Sequence, residues 1–117
     1  MTSHERKLIR AVVPFGIHGV RSGASKWACD VILFKGNKFI IIENKATHND
    51  HYRPSKKQFE KMQNFAKEGT PTCYAIYFIG QEPKWQIYPL PYEKLTTMRI
   101  GEGHKLEYLN NFLKEKK

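Results

Sequence analysis

The sequence predicts an α/β protein in which helices flank a central mixed β-sheet of about five strands. Three observations predict this fold: an apolar hairpin, a second apolar strand over 72–79, and segments of helical spacing before, between and after them. The helix over 54–67 allows a right-handed crossover that makes two strands parallel, whereas the strands of the hairpin are antiparallel. A mixed sheet covered by helices buries all of these apolar faces.

A tight turn at Gly36-Asn37 is predicted to join the apolar runs 28–34 and 39–42. Glycine at the first position of a two-residue hairpin turn supplies the positive φ that this turn requires. The turn places Lys35 opposite Lys38, so the numbers of paired residues sum to 73 along the hairpin. Because alternate side chains point to opposite faces, both faces of this hairpin are apolar in the middle.

Two acidic residues and one lysine lie at the polar end of the predicted hairpin. The register places Asp30 directly opposite Glu43, and Lys45 continues the same face. Like charges in that position are destabilising, so the two carboxylates need a shared proton or a cation. One or two carboxylates plus water suit Mg²⁺ or Mn²⁺. The competing interpretation is a strand end closed by an ion pair between Glu43 and Lys45.

The composition predicts one folded basic domain, residues 1–117, with a polyanionic partner. The chain has 20 Lys and Arg residues against 11 Asp and Glu, a formal net charge of +9. This charge indicates nucleic acid, although a merely soluble basic protein is the alternative. The sequence has no apolar stretch near the ~20 residues of a membrane span and no secretory signal, so we expect an intracellular, cytoplasmic protein. Cys29 and Cys73 lie in apolar runs and are predicted to be buried thiols.

The segments before the hairpin are predicted to form a helix, a short strand and a loop. The helix begins near Ser3, buries apolar residues of helical spacing, and ends at Pro14 and Gly16. The strand spans 17–21. The loop 22–26 consists of small residues and one lysine, which suits either a close approach of the backbone to a phosphate or a flexible connection. Both interpretations stay open.

The segment after the hairpin, 46–53, is polar and is expected to be a mobile loop. Three of its residues have a loose metal-ligand spacing, although a solvated loop is the preferred interpretation: His48, Asp50 and His51. Pro54 is predicted to be the first residue of a basic helix that ends at Lys67. The remaining elements are a strand, an edge strand and a closing helix, over 72–79, 84–88 and 105–113.

A carboxylate pair with a neighbouring ammonium group and a basic surface suits phosphodiester hydrolysis. A bound divalent cation activates a water and neutralises the charge that develops on the phosphate, and Lys45 is placed to orient that water or help deprotonate it. The pattern of Asp30 followed by Glu43-Asn44-Lys45 resembles the PD-(D/E)xK nuclease superfamily, although Cys29 stands where that pattern often has proline.

A longer pattern, over about residues 4–79, resembles the archaeal Holliday junction resolvases. It comprises E-R-K-L-I at 5–9, Gly16, G-V-R-S-G-A-S-K at 19–26, the acid pair with E-N-K, and a basic helix that contains glutamine. The resemblance implies a restriction-endonuclease-like fold and a Mg²⁺-dependent homodimer that cuts four-way DNA junctions on two opposed strands. It also implies that Mn²⁺ substitutes for Mg²⁺, that the protein serves DNA recombination and repair, and that its source is an archaeon or an archaeal virus.

The resemblance also assigns roles to individual residues. It implies that the metal is bound by Asp30, Glu43, the backbone carbonyl of Asn44 and, directly or through water, Glu5. Lys45 would serve the attacking water, so the implied catalytic residues are Glu5, Asp30, Glu43 and Lys45. The implied DNA-binding residues are Arg6, Arg21, Ser22, Ser25, Lys26, Arg53, Lys56, Lys57 and Gln58. The chain departs from the family pattern in three respects: few basic residues precede the first helix, Asn44 replaces an apolar residue, and loop 46–53 differs.

Two other functions fit the same residues. The first is another PD-(D/E)xK nuclease that acts on nicked, flapped or duplex DNA. The second is a non-catalytic basic DNA-binding protein with an inert acid pair, which would bind DNA in a salt-sensitive way without cutting it.

Overall fold

The computed structural model describes residues 3–21 and 30–114, within which the chain forms three α-helices and seven strands. The helices are α1 (Ser3–Val12), α2 (Lys56–Lys67) and α3 (Glu107–Leu113). The strands are β1 (His18–Arg21), β2 (Val31–Lys35), β3 (Lys38–Thr47), β4 (His51–Tyr52), β5 (Thr72–Phe78), β6 (Trp85–Pro89) and β7 (Met98–Arg99). None of the described helices is long and apolar enough to cross a membrane.

Five strands form the central sheet in the order β1-β2-β3-β5-β6. Strands β3 and β5 are parallel and are connected through α2, whereas every other neighbouring pair in this sheet is antiparallel. Strand β6 lies at one edge, and the short strands β4 and β7 pair separately as a second, two-stranded sheet. The predicted mixed sheet of about five strands flanked by helices is confirmed.

The hairpin between β2 and β3 has the predicted register. Its pairs run from Lys35 opposite Lys38 to Val31 opposite Ile42, and Gly36 has a positive φ of 61° in the turn. The regular ladder ends one pair before the predicted pairing of Asp30 with Glu43. The backbone N–H of Asp30 instead donates to the carbonyl of Ile42 at 3.0 Å, which keeps Asp30 beside the end of the ladder.

Helices cover both faces of the central sheet. On one face, α1 and α3 bury a cluster that includes Leu8, Leu33, Ile42 and Leu109. On the other face, α2 and the second sheet bury a cluster that comprises Phe59, Met62, Tyr74, Ile76, Phe78, Tyr88 and Met98. Cys73 is a buried free thiol, as predicted, and burial raises its pKa; Cys29 lies outside the described residues.

The start of α2 corrects one prediction. Pro54 is not the first helical residue, because Ser55 caps the helix and α2 begins at Lys56. The Oγ of Ser55 accepts a hydrogen bond from the backbone N–H of Gln58 at 3.3 Å. A serine side chain that satisfies a free N–H of the first turn is a stronger start signal than a proline one residue earlier.

The segment 46–53 corrects a second prediction, since it is not a free loop. Strand β3 continues to Thr47, and β4 pairs with β7 from the C-terminal part of the chain. The side chain of Gln81 donates to the backbone carbonyls of His48 and Asn49, at 3.2 and 2.8 Å. The polar composition of the segment does not predict these hydrogen bonds, because most of them involve backbone atoms and partners distant in sequence.

Candidate active site

Three of the predicted site residues converge at the end of the hairpin. The carboxylate of Glu43 is almost fully buried, and its Oε2 lies 3.2 Å from the Nζ of Lys45. Asp30 directly precedes β2, and its Oδ2 accepts a hydrogen bond from the backbone N–H of Asn44 at 3.0 Å. The hairpin register explains this arrangement, because it places Glu43 and Lys45 on the same face of the sheet, the face that α2 covers.

The two carboxyl groups are strongly coupled. Burial raises the pKa of Glu43 to about 7, and repulsion by the Asp30 carboxylate adds to the rise. The ammonium group of Lys45 acts in the opposite direction without cancelling these two causes. Near neutral pH the site therefore lacks enough positive charge to hold both acids fully ionised, which is the condition a cation would satisfy.

Lys45 remains an ammonium group in this environment. Burial acts to lower the pKa of Lys45, but attraction to Glu43 and the hydrogen bond with it outweigh burial and leave the pKa above its ordinary value. Lys45 can therefore donate hydrogen bonds to a phosphate oxygen or a water. It does not act as a base in this charge state.

Gln58 lies inside the site, and its predicted contact with DNA stays a prediction. The Ser55 cap places Gln58 in the first turn of α2, and the Nε2 of Gln58 donates to Oε2 of Glu43. The same oxygen therefore accepts from both Gln58 and Lys45. These two donors fix the orientation of a buried carboxylate.

Two tyrosines lie beside the acid pair and were not predicted as site residues. Tyr74 is the partner of Glu43 in the parallel ladder between β3 and β5 and is fully buried. Its hydroxyl has no hydrogen-bond partner in the described structure. The ring of Tyr52 lies 6.4 Å from the ring of Tyr74. Only the register between β3 and β5 could have identified Tyr74, and only the pairing of β4 with β7 could have identified Tyr52.

Glu5 and Arg21 contact each other. The Nε of Arg21 lies 3.3 Å from Oε1 of Glu5, without the geometry of a hydrogen bond, and both side chains are partly buried. Each charge is thus neutralised by the other in this structure. The implied roles of Glu5 at the metal and of Arg21 on the DNA backbone stay predictions.

The other residues predicted to bind DNA divide into two groups. Four of them are exposed: Arg6, Arg53, Lys56 and Lys57. Arg53 also donates from Nη1 to the Oγ1 of Thr97 at 2.9 Å, which steadies its side chain. The remaining residues, Ser22, Ser25 and Lys26, lie outside the described residues, as does the whole loop 22–26.

The acid pair fits a hard divalent cation. Within residues 3–21 and 30–114 there is no group of three or more His, Cys, Asp or Glu side chains that could hold a metal. Two carboxylates suffice for Mg²⁺, which keeps several of its waters and binds one or two protein carboxylates.

His51 pairs with Asp50 at 2.8 Å on an exposed surface, which agrees with the solvated interpretation of that segment.

Comparisons with known proteins bear on the fold and the family of the chain. The family model described as archaeal Holliday junction resolvase (Hjc) matches residues 2–116. No curated protein matches the chain. A solved structure of Archaeoglobus fulgidus Hjc, a Holliday junction resolvase, matches with a TM-score of 0.71 and 20% identity, covering 94% of this chain and 99% of that one. The chain belongs to the archaeal Holliday junction resolvase family, and the prediction of a junction-resolving nuclease is confirmed.

Proposed function

We propose that residues 1–117 act as one nuclease domain of a Mg²⁺-dependent homodimer that cuts four-way DNA junctions on two opposed strands. The observation that carries this proposal is the convergence of Asp30, Glu43 and Lys45 in a chain of the resolvase family. Branched DNA would be the substrate class. A protein that acts on such DNA would be intracellular and DNA-associated. The net charge of +9 supports a polyanionic substrate.

Asp30 and Glu43, with the backbone carbonyl of Asn44, would hold the ion. When bound, a divalent cation supplies charge stabilisation to the phosphate and lowers the pKa of a bound water. Mn²⁺ would substitute because it accepts the same oxygen ligands. The backbone N–H of Asn44 fixes the Asp30 carboxylate, and Gln58 fixes the Glu43 carboxylate, so neither ligand must reorganise.

Lys45 has a separate role on the substrate. Its ammonium group stays charged and lies beside Glu43, where it can donate to a non-bridging oxygen of the scissile phosphate or orient the attacking water. A preorganised donor that faces developing negative charge lowers the barrier more than it strengthens ground-state binding. Glu5 would reach the same ion through water from α1.

A homodimer suits the symmetry of the substrate. A four-way junction presents two equivalent scissile phosphates related by a two-fold axis, and a C2 dimer presents two equivalent active sites. Each subunit would cut one strand, which gives the paired incisions that separate the junction into two duplexes.

The replacement Asp30→Asn tests the proposal. It keeps the shape of the side chain but removes a negative charge from the site, so cleavage of a synthetic four-way junction in Mg²⁺ should fall by at least about 100-fold, while junction binding in EDTA stays within about threefold. The matched control is Asp50→Asn, because Asp50 is the other aspartate of the chain and is exposed.

Three outcomes are distinguishable in that experiment. Full cleavage by Asp30→Asn would remove Asp30 from the mechanism. Equal cutting of junction, nicked, flapped and linear DNA by the wild-type protein would favour a less selective nuclease. Salt-sensitive binding without cutting in either Mg²⁺ or Mn²⁺ would favour a DNA-binding protein with an inert acid pair.

A further inference from the structure

Tyr52 lies beside the acid pair although its strand, β4, belongs to the second sheet and not to the central one. Its ring is 6.4 Å from the ring of Tyr74, and Tyr74 is the direct neighbour of Glu43 in the sheet. Tyr52 is half-buried, and it packs at the edge of the cluster under α2. The side chain is therefore held by packing and is also partly exposed.

The hydroxyl of Tyr52 has no assigned bond within the described part of the protein. Burial raises the pKa of Tyr52; Lys45 opposes the rise, and Glu43 and Asp30 add to it. All three charged groups of the site thus act on this phenol, which keeps its proton at neutral pH. A protonated phenol beside these groups is a hydrogen-bond donor of the kind that a phosphate oxygen accepts.

The C-terminal part of the chain fixes Tyr52 in this position. Strand β7 pairs Met98 with Tyr52, and the backbone N–H of Ile100 donates to the carbonyl of Asp50 at 2.9 Å. Side chains of β6 hold the turn that follows β7. Gln86 Oε1 accepts from the N–H groups of Gly101 and Gly103, both at 3.0 Å, and Tyr88 donates to the carbonyl of Arg99.

We infer that Tyr52 is a substrate-contacting residue of the nuclease site, and that its hydroxyl donates to a non-bridging oxygen of the DNA phosphate bound beside Glu43 and Lys45. The inference rests on the proposed function for the identity of the substrate. It also assigns a role to the second sheet, in which the pairing of β7 with β4 would hold Tyr52 in position beside the phosphate.

The replacement Tyr52→Phe removes the hydroxyl and keeps the ring against Tyr74. Loss of a hydrogen bond to a charged oxygen should slow single-turnover junction cleavage about 10- to 100-fold. Affinity for the whole junction in EDTA, measured with Asp30→Asn present in each protein, should fall about 10-fold, because one hydrogen bond to a charged oxygen is lost while the other phosphate contacts remain. Tyr108→Phe is the matched control, since Tyr108 is a partly buried tyrosine on the opposite face of the sheet, and its cleavage rate should match the wild type.

A binding measurement in EDTA tests the contact without cleavage, with Asp30→Asn added to every protein compared so that Lys45 balances Glu43 and the site does not repel a phosphate. Each phosphate near the branch point is replaced in turn by a methylphosphonate, and the loss of affinity is measured for wild-type protein, Tyr52→Phe and Tyr108→Phe. At one position the wild type and Tyr108→Phe should lose about 10-fold more affinity than Tyr52→Phe, because Tyr52→Phe has no donor left to lose. For each variant the affinity for modified DNA is divided by the affinity of the same preparation for unmodified DNA, so a smaller folded fraction cancels from the ratio.

The outcomes separate this inference from the proposed function. Coupling at one phosphate together with slow cleavage by Tyr52→Phe supports the contact. Equal methylphosphonate losses in all three proteins overturn it, even where the wild type resolves junctions normally. A wild-type protein that binds junctions but cuts none refutes the proposed nuclease, while the EDTA comparison still decides whether Tyr52 touches a phosphate.

Discussion

Glu43 is a residue whose proposed role carries a cost in stability. Its side chain is 1% exposed, and burial raises its pKa from 4.5 to about 7. Between those two values the unfolded chain releases a proton that the folded protein retains, so the free energy of unfolding falls as the pH rises. The slope is about 1.4 kcal/mol for each pH unit over this window. Above pH 7 both states are ionised and the cost is constant.

The replacement Glu43→Gln should remove this cost in the metal-free protein. Relative to the wild type, the variant should gain unfolding free energy on the order of 3 kcal/mol between pH 4 and pH 8, and should lose junction cleavage. Urea unfolding in EDTA at a series of pH values measures the first effect. Glu60→Gln is the control, because Glu60 is exposed on α2. Parallel pH profiles for Glu43→Gln and the wild type would refute the raised pKa.

Site residues on the hairpin were predictable because their placement depends on a local turn. Gly36-Asn37 determines the register over a short segment, and the register brings Asp30, Glu43 and Lys45 together. Tyr52 was not predictable in the same way. Its place depends on pairing with Met98, and a two-residue strand has no periodicity to reveal it.

At the scale of elements, the contact between α1 and β1 depends on a glycine. A Cβ added to Gly19 would lie 2.7 Å from Cγ1 of Ile9 and 3.1 Å from Cδ2 of Leu33. The helix therefore packs directly on the strand backbone at this point. The same contact sets the distance between Glu5 on α1 and Arg21 at the end of β1.

The replacement Gly19→Ala should destabilise the fold by about 1–3 kcal/mol, because the new methyl group must displace α1 or its neighbours. Adding Ile9→Ala should make Gly19→Ala less harmful, since it removes the atom that the methyl group meets. Urea unfolding of both single variants and the double variant measures this coupling. Additive effects would show that α1 does not pack against β1 as described.

The elements with strong apolar patterns were predictable, and the elements held by distant partners were not. The order of helices and strands, and the parallel pairing of β3 with β5, followed from the spacing of apolar residues and from a crossover of ordinary length. Strands β4 and β7 are too short to show a pattern, and they form only because each satisfies the backbone groups of the other. The segment 46–53 looked like a loop for that reason.

At the scale of the whole molecule, a strongly basic chain carries a pair of neighbouring carboxyl groups. The charge of +9 would bring DNA to the protein over a wide surface, whereas Asp30 and Glu43 would repel a phosphate unless a cation lies between them. Binding and cutting therefore have opposite electrostatic requirements. This separation predicts that DNA binding survives chelation of metal ions and that cleavage does not.

The most direct test compares a four-way junction with a linear duplex of the same sequence, each under single-turnover conditions with wild-type protein in Mg²⁺ and in EDTA. We expect symmetric cuts on two opposed strands of the junction in Mg²⁺, cleavage of the duplex slower by at least about 100-fold (about 2.7 kcal/mol in the barrier), and uncut but bound junction in EDTA. Equal cutting of both substrates, or junction cleavage that persists in EDTA, would contradict it.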